Sequence, residues 1–288
     1  MHPYAGSPQR GERSIGAILI DNGYLDPIAA EEIIRYQRAE GLQFGDAAIR
    51  LGFVTAAQMQ QALSQQFNYP LLRVGETAVS PVVVAAFNPA SPVVENLRAL
   101  RSQLLLRWLS ADVGGNAVAI VSPERGDGRS FICANLAVIL SQLGERTLLV
   151  DANMRMPQQH RLFGLEGRAG LSSVLAGLAE VPSAIIPIPG LKGLTVLPAG
   201  PTPPNPQELL GGAAFSRLTE QLKQQFDVVI FDTPPANQYA DYQAVAGRAR
   251  GAVLVCRQRV TSVNKMQAVL RPLEGSGVTT VGAVLNNY

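Results

Sequence analysis

Residues 117–130 read AVAIVSPERGDGRS and run directly into FICANLAVILSQLG at 131–144. The opening AVAIV is an unbroken apolar run of strand length, SPERGDG is a turn, and the apolar residues from Phe131 onward recur at helical spacing. Strand, glycine loop and helix in that order build a phosphate cradle. Loop N–H groups and the positive end of the helix converge where an anion can sit, and Gly126 and Gly128 allow close approach and positive φ. The candidate nucleotide-binding stretch is Gly126, Asp127, Gly128, Arg129, Ser130 and Phe131. Ser130 falls where a P-loop hydroxyl coordinates Mg²⁺. The pattern GxxxxGK[ST] is met in part, because Pro123 stands at its first glycine and Arg129 at its lysine. The plain alternative is a Gly-rich surface turn before a helix.

Working outward, the 288 residues have room for one large α/β domain and a smaller unit. The 24 basic and 22 acidic side chains are interspersed, leaving a formal charge of +2 and no basic stripe of the kind nucleic acid requires. Lysine occurs only at 192, 223 and 265, so no nearby lysine stands in for Arg129. Cys133 and Cys256 fall inside an expected helix and an expected strand. They read as small buried hydrophobes of a reducing cytoplasm. Two histidines and two cysteines, far apart, form no metal-ligand cluster. No apolar run has the length of a membrane span, and the start MHPYAGSPQRGER lacks a signal-peptide core.

Residues 1–12 read as a polar tail. From 13 to 70 the sequence repeats at an interval of 29: Ile15, Gly16, Leu19, Gly23, Leu25 and Gln37 recur as Phe44, Gly45, Ala48, Gly52, Val54 and Gln66. Each copy predicts a short helix, a glycine turn and a longer helix opened by Asp26-Pro27 or by Thr55. Residues 71–91, rich in Pro, Gly and Val without helical period, read as a linker. Pro92 then opens a helix on which Glu95, Arg98 and Arg101 project from one side, as a solvated salt-bridged face does.

Beyond the glycine loop, RTLLVDA predicts a buried parallel strand ending in Asp151, where a carboxylate meets Mg²⁺ or its water. FDVVIFDTPP predicts a second such strand ending in Asp232. Between and after them come the strand GLTVLPAG, the proline-braced PTPPNPQELL, a helix near 241–248, the strand GAVLVC, a helix from 261 and the closing strand VTTVGAVLNN. Strands alternating with helices specify an α/β fold: a parallel P-loop sheet with helices on both faces, preceded by a small all-α module.

Two resemblances follow. The repeat of 13–70 resembles the N-terminal module of type II secretion and type IV pilus ATPases, called MshEN, some of whose members bind cyclic di-GMP. It departs from ligand-binding members at the arginine opening each copy, where this chain has Ser14 and Gln43. A protein-interaction module is therefore the reading preferred over cyclic di-GMP binding. From Pro92 onward the chain resembles the cytoplasmic domain of bacterial tyrosine kinases of the chain-length-determinant type in exopolysaccharide synthesis, relatives of the deviant Walker ATPases. SPERGDGRS with its NLA, LLVDANMRMPQQHRLF, LTVLPAGPTPPNPQELL and FDVVIFDTPP carry the match.

That second resemblance implies ATP and Mg²⁺ as cofactors, and an ATP-dependent tyrosine (auto)kinase regulating exopolysaccharide chain length and export. The alternative is an ATP-binding assembly regulator with little or no kinase activity. It implies that Gly126 and Gly128 cradle phosphates, Arg129 contacts them, and Ser130, Asp151 and Asp232 serve the metal. Asp151 would also activate the tyrosine hydroxyl. It implies a homo-oligomer joined through Glu95, Arg98 and Arg101, and cytoplasmic placement at the inner membrane through a separate chain-length regulator (polysaccharide co-polymerase). Arg129 and Asn153 depart from the family's lysine and second aspartate. Of its C-terminal tyrosine cluster only Tyr288 remains, as the single candidate phosphoacceptor.

Overall fold

The computed structural model describes residues 14–67, 69–109 and 115–287. The chain divides into two compact units, residues 1–71 and 72–288. The tail 1–12 and Tyr288 lie outside the described residues.

The smaller unit contains α1 (Ile15–Asp21), α2 (Pro27–Glu40), α3 (Phe44–Arg50) and α4 (Ala56–Gln66). The repeat of 29 is a repeat of backbone geometry. Gly23 and Gly52 turn at φ 70° and 76°, each donating to the carbonyl three residues back, Ile20 and Ile49. Asp26 and Thr55, again 29 apart, cap α2 and α4 by accepting from the N–H of Ile28 and Gln58. Thr55 and Gln58 complete a capping box. Leu19, Ile33, Ala47, Ala48 and Ala62 are fully buried at the centre. Ser14 and Gln43 sit at the N-cap positions of α1 and α3, and the Ser14 hydroxyl accepts from Ala17 N–H.

The larger unit begins with a 3₁₀ turn, Val84–Ala86, and α5 (Pro92–Arg107), then β1 (Ala117–Val121), α6 (Arg129–Gln142), β2 (Thr147–Asp151), α7 (Gln159–Leu162) and α8 (Leu171–Leu175). It continues through α9 (Val181–Ala184), β3 (Ile186–Pro187), β4 (Leu194–Leu197), α10 (Pro206–Gly211), α11 (Ala213–Gln225) and β5 (Val228–Asp232). It ends with α12 (Asp241–Ala249), β6 (Gly251–Arg257), α13 (Val263–Gly275) and β7 (Thr279–Asn286). The sheet order is β3-β4-β2-β5-β1-β6-β7. Every described pairing is parallel except β3 with β4. The sheet is the expected parallel one, with β3 added as an antiparallel edge of two residues, one of them Pro187, too short to show a period.

Both faces of the sheet are covered. In β1, Val118 and Ile120 pack into the cluster containing α5 and α6, while Ala117, Ala119 and Val121 face the one containing α11, α12 and α13. That two-sided burial is why the strands read as continuous apolar runs. The Trp108 indole closes the end of α5 on the sheet, donating to Ala117 O at 2.7 Å.

The expected linker is not one. Residues 72–91 belong to the larger unit, with Val79, Val83, Ala85 and Ala86 buried in its core. Asn135, fully buried on α6, accepts from Ala85 N–H at 2.9 Å, and its amide donates to Phe131 O at 2.9 Å and Val82 O at 3.3 Å. A stretch without period is thus held by polar side chains of α6 some fifty residues away, Asn135 and also Gln142, whose amide donates to Ala85 O at 3.0 Å.

Candidate nucleotide-binding site

β1, β5 and β2 lie side by side and end at one edge, where the strand order reverses. In open parallel sheets that crevice at the carboxyl ends is where ligands bind. The loop after β1 turns at Gly126 and Gly128, with φ 87° and 96°, and Gly128 is the N-cap of α6. A cavity of ≈ 250 Å³ opens there. From the loop and α6 it is lined by Arg125, Gly126, Gly128, Arg129, Ser130 and Phe131, and from elsewhere by Asn153, Met156, Gln158 and Pro235. The expected nucleotide residues are therefore brought together, with one difference. The buried Asp127 carboxylate accepts from Glu124 N–H at 2.8 Å and from the Thr261 hydroxyl at 3.4 Å, so this side chain closes the loop instead of lining the cavity.

Asp151 and Asp232 end β2 and β5 in direct register, and both are fully buried. Asp151 Oδ1 accepts from Asn153 N–H, and Oδ2 from the N–H of Gln158 and Gln159 at 3.0 and 2.9 Å. Asp232 Oδ2 accepts from the Gln159 amide at 2.8 Å, while Oδ1 meets no hydrogen-bond donor. Burial first, then the charge of Asp232, pushes the Asp151 carboxyl up to about 8, against the pull of its three amide donors. Burial also raises Asp232, opposed by the Arg129 guanidinium and by the polar groups of Ser130 and Gln159.

Arg129 is buried. Its Nε donates to Thr233 O at 2.6 Å and lies 3.7 Å from Asp232 Oδ1, and its Nη1 donates to the Ser122 hydroxyl and, at 3.4 Å, to Glu124 O. The side chain ties the loop to the end of β5. Asn153 is also committed: its Oδ1 accepts from Met156 N–H and its Nδ2 donates to Met156 O at 2.8 Å.

Mg²⁺ fits this donor set. A buried carboxylate oxygen without a hydrogen-bond donor, Asp232 Oδ1, stands 3.7 Å from the Arg129 guanidinium, and Ser130 and Arg129 line the cavity. Asp151, both oxygens taken by backbone amides, organises the 153–159 loop. No group of three His, Cys, Asp or Glu side chains forms a metal cage among the described residues.

Sequence reasoning missed Gln159. Fully buried, its amide donates to Asp232 and to Ser130 O at 3.1 Å, and its N–H to Asp151, so it joins the loop to both acidic strand ends. Only its place in the block LLVDANMRMPQQHRLF at 148–163 signalled it. Arg155 was missed too: it forms a two-point ion pair with buried Asp241 and lies 4.2 Å over the Tyr239 ring. The α5 triplet stands apart from this cavity. Arg98 bonds exposed Glu95 at 2.8 Å and Pro89 O at 2.9 Å, and Arg101 Nε has no acceptor among the described residues.

No family model matches the chain. The tyrosine-protein kinase YwqD of Bacillus subtilis is 36% identical over 204 residues, which are 71% of this chain and 85% of YwqD. This chain belongs to the bacterial tyrosine-protein kinase family. Another member of that kinase family, Wzc of Salmonella typhimurium, is 32% identical over 205 residues, so the chain spans only 28% of the length of that relative. Among solved structures, the kinase domain of the Escherichia coli tyrosine kinase ETK superposes with a TM-score of 0.69 at 30% identity, covering 75% of this chain and 84% of that one. The cell-division ATPase MinD of Pyrococcus furiosus shares the sheet, with a TM-score of 0.53 at 28% identity over 60% of this chain and 73% of MinD. The kinase family and the P-loop ATPases are thus built on one parallel scaffold.

Proposed function

We propose that this chain is an ATP- and Mg²⁺-dependent protein-tyrosine kinase regulating exopolysaccharide chain length and export. The observation that carries this is the in-register pair Asp151 and Asp232 beside a glycine loop, in a chain whose relatives are named tyrosine-protein kinases. When bound, ATP·Mg²⁺ supplies the transferable phosphoryl group and the charge that shields it. The loop amides of 126–131 and the start of α6 would hold the phosphates, and Ser130 and Asp232 the metal. Asp151, whose proton affinity burial raises, would take the proton of the attacking tyrosine hydroxyl, with positioning supplying most of the acceleration.

Glu95, Arg98 and Arg101 would join copies of the chain in a ring. Among the described residues no helix is long and apolar enough to cross a membrane. A separate membrane chain-length regulator would then recruit and activate the kinase at the cytoplasmic face of the inner membrane. The helical module would bind a protein of the same machinery. Cyclic di-GMP is the lesser alternative, since Ser14 and Gln43 serve as N-caps where ligand-binding MshEN modules carry arginine. A tight calorimetric signal with that dinucleotide would reverse this preference.

The engagement of Arg129 and Asn153 with the protein favours a second reading, an ATP-binding assembly regulator with little phosphotransfer. Incubation of the chain with labelled ATP, Mg²⁺ and its activator decides between the two. Phosphotyrosine on the chain or a partner establishes the kinase, and bound nucleotide without phosphotyrosine establishes the regulator.

A further inference from the structure

We propose that Arg125, not Arg129, is the cation that grips the phosphates of a nucleoside triphosphate at this loop; the inference rests on the nucleotide-binding reading above. Two cationic side chains line the cavity, Arg125 and Arg129. They differ in what already holds them.

Arg129 is spoken for. Its Nε and Nη1 are bonded to Thr233 O, the Ser122 hydroxyl and Glu124 O, and its charge faces the buried Asp232 carboxylate 3.7 Å away. A lysine in a P-loop reaches its phosphate as a point charge on a flexible stem, whereas this guanidinium is a planar fork fixed at two nitrogens. Were it to swing onto a phosphate, Asp232 would lose the charge that opposes its burial, and Thr233 O and the Ser122 hydroxyl would lose their arginine donor. Arg129 is therefore a positioning residue, bracing the loop against β5.

Arg125 is exposed at the crest of the loop, one residue before Gly126, and makes no ion pair or hydrogen bond with any described residue. The two acids beside it in sequence are both occupied. Glu124 bonds Lys265 at 2.7 Å, and Asp127 accepts from Glu124 N–H and Thr261. The Arg125 charge thus stands uncompensated in the wall of an anion cradle, on the side chain whose fork matches phosphate oxygens two at a time. It supplies the mobile contact that the lysine position has given up.

The test is calorimetric titration of the full-length chain with Mg²⁺·ATP, Mg²⁺·ADP and adenosine, alongside thermal unfolding, for the wild type, R125Q, R125K and R129K. Arg125→Gln weakens ATP and ADP binding by about ten- to a hundredfold, the range for a hydrogen bond to a charged group. It leaves adenosine binding and the melting temperature unchanged, and Arg125→Lys recovers part of the loss. Arg129→Lys lowers the melting temperature of the ligand-free chain. Wild-type affinity in R125Q overturns the inference and leaves the nucleotide reading intact. A stable R129K chain that alone loses ATP affinity overturns it by returning the role to Arg129. A wild type that binds no nucleotide at all sinks both.

Discussion

The carboxylates of Asp151 and Asp232 face one another across adjacent parallel strands, in register and without exposure to solvent. Burial first, and the charge of Asp232 second, make Asp151 hold a proton that it would release in water. With the Asp151 carboxyl pushed up from 3.8 to about 8, the folded chain binds a proton between those values that the unfolded chain has lost. Its stabilising contribution is complete below the lower value and is lost as pH rises through the upper one. Denaturation in urea without Mg²⁺, stepped from about pH 5 to about pH 9, is expected to show stability falling with pH. Asp151→Asn should flatten that slope, leaving the part that comes from buried Asp232. Mg²⁺·nucleotide binding should release protons, measured as a buffer-dependent heat, and tighten as pH rises.

Replacing Gln159 by Leu keeps the volume near Asp232 but deletes the amide that serves Asp232 Oδ2 and Ser130 O. The buried Asp232 Oδ2 loses its amide donor, and about 1–3 kcal/mol of stability should be lost. Because both strand ends and the loop depend on this one side chain, Mg²⁺-dependent nucleotide affinity should fall further than metal-free affinity. Equal losses in the two would make Gln159 a packing residue only.

What was legible in the sequence was what periodicity records. The runs closing on Asp151 and Asp232 announce buried parallel strands because both sheet faces are covered, and a glycine loop between strand and helix announces a cradle. What was not legible depends on partners far along the chain. Residues 72–91 look like a linker until Asn135 is seen accepting from Ala85 N–H. Arg129 occupies the phosphate lysine's place in the motif, yet Thr233, just past the end of β5, decides where its nitrogens go. Asp127 stands among phosphate-binding residues while its carboxylate turns to Glu124 N–H, a direction no spacing rule encodes.

Asn135→Ala should expose how much the 72–91 segment depends on that side chain. The Ala85 N–H becomes a buried donor without an acceptor, at a cost of about 1–3 kcal/mol. For a unit of this size that lowers the melting temperature by roughly 2–4 °C per kcal/mol. Limited proteolysis should then cut first within 72–91 while the sheet survives.

Asn153→Asp tests whether the departure from the family's second aspartate is an adaptation to this loop. Asn153 uses both ends of its amide on one residue, accepting from Met156 N–H and donating to Met156 O. An aspartate keeps the first bond and turns the second into a carboxylate oxygen facing a carbonyl oxygen. It also adds a third acid two residues from Asp151, whose proton affinity burial and Asp232 already raise. The variant without metal should lose about 1–3 kcal/mol, the cost of a buried group left unmatched. Mg²⁺ prefers the folded state of such a site and restores stability by mass action, so the melting temperature of Asn153→Asp should rise with Mg²⁺ more steeply than that of the wild type. Parallel Mg²⁺ dependences in the two chains would mean that position 153 does not face the metal, and that the asparagine is retained for its turn with Met156 alone.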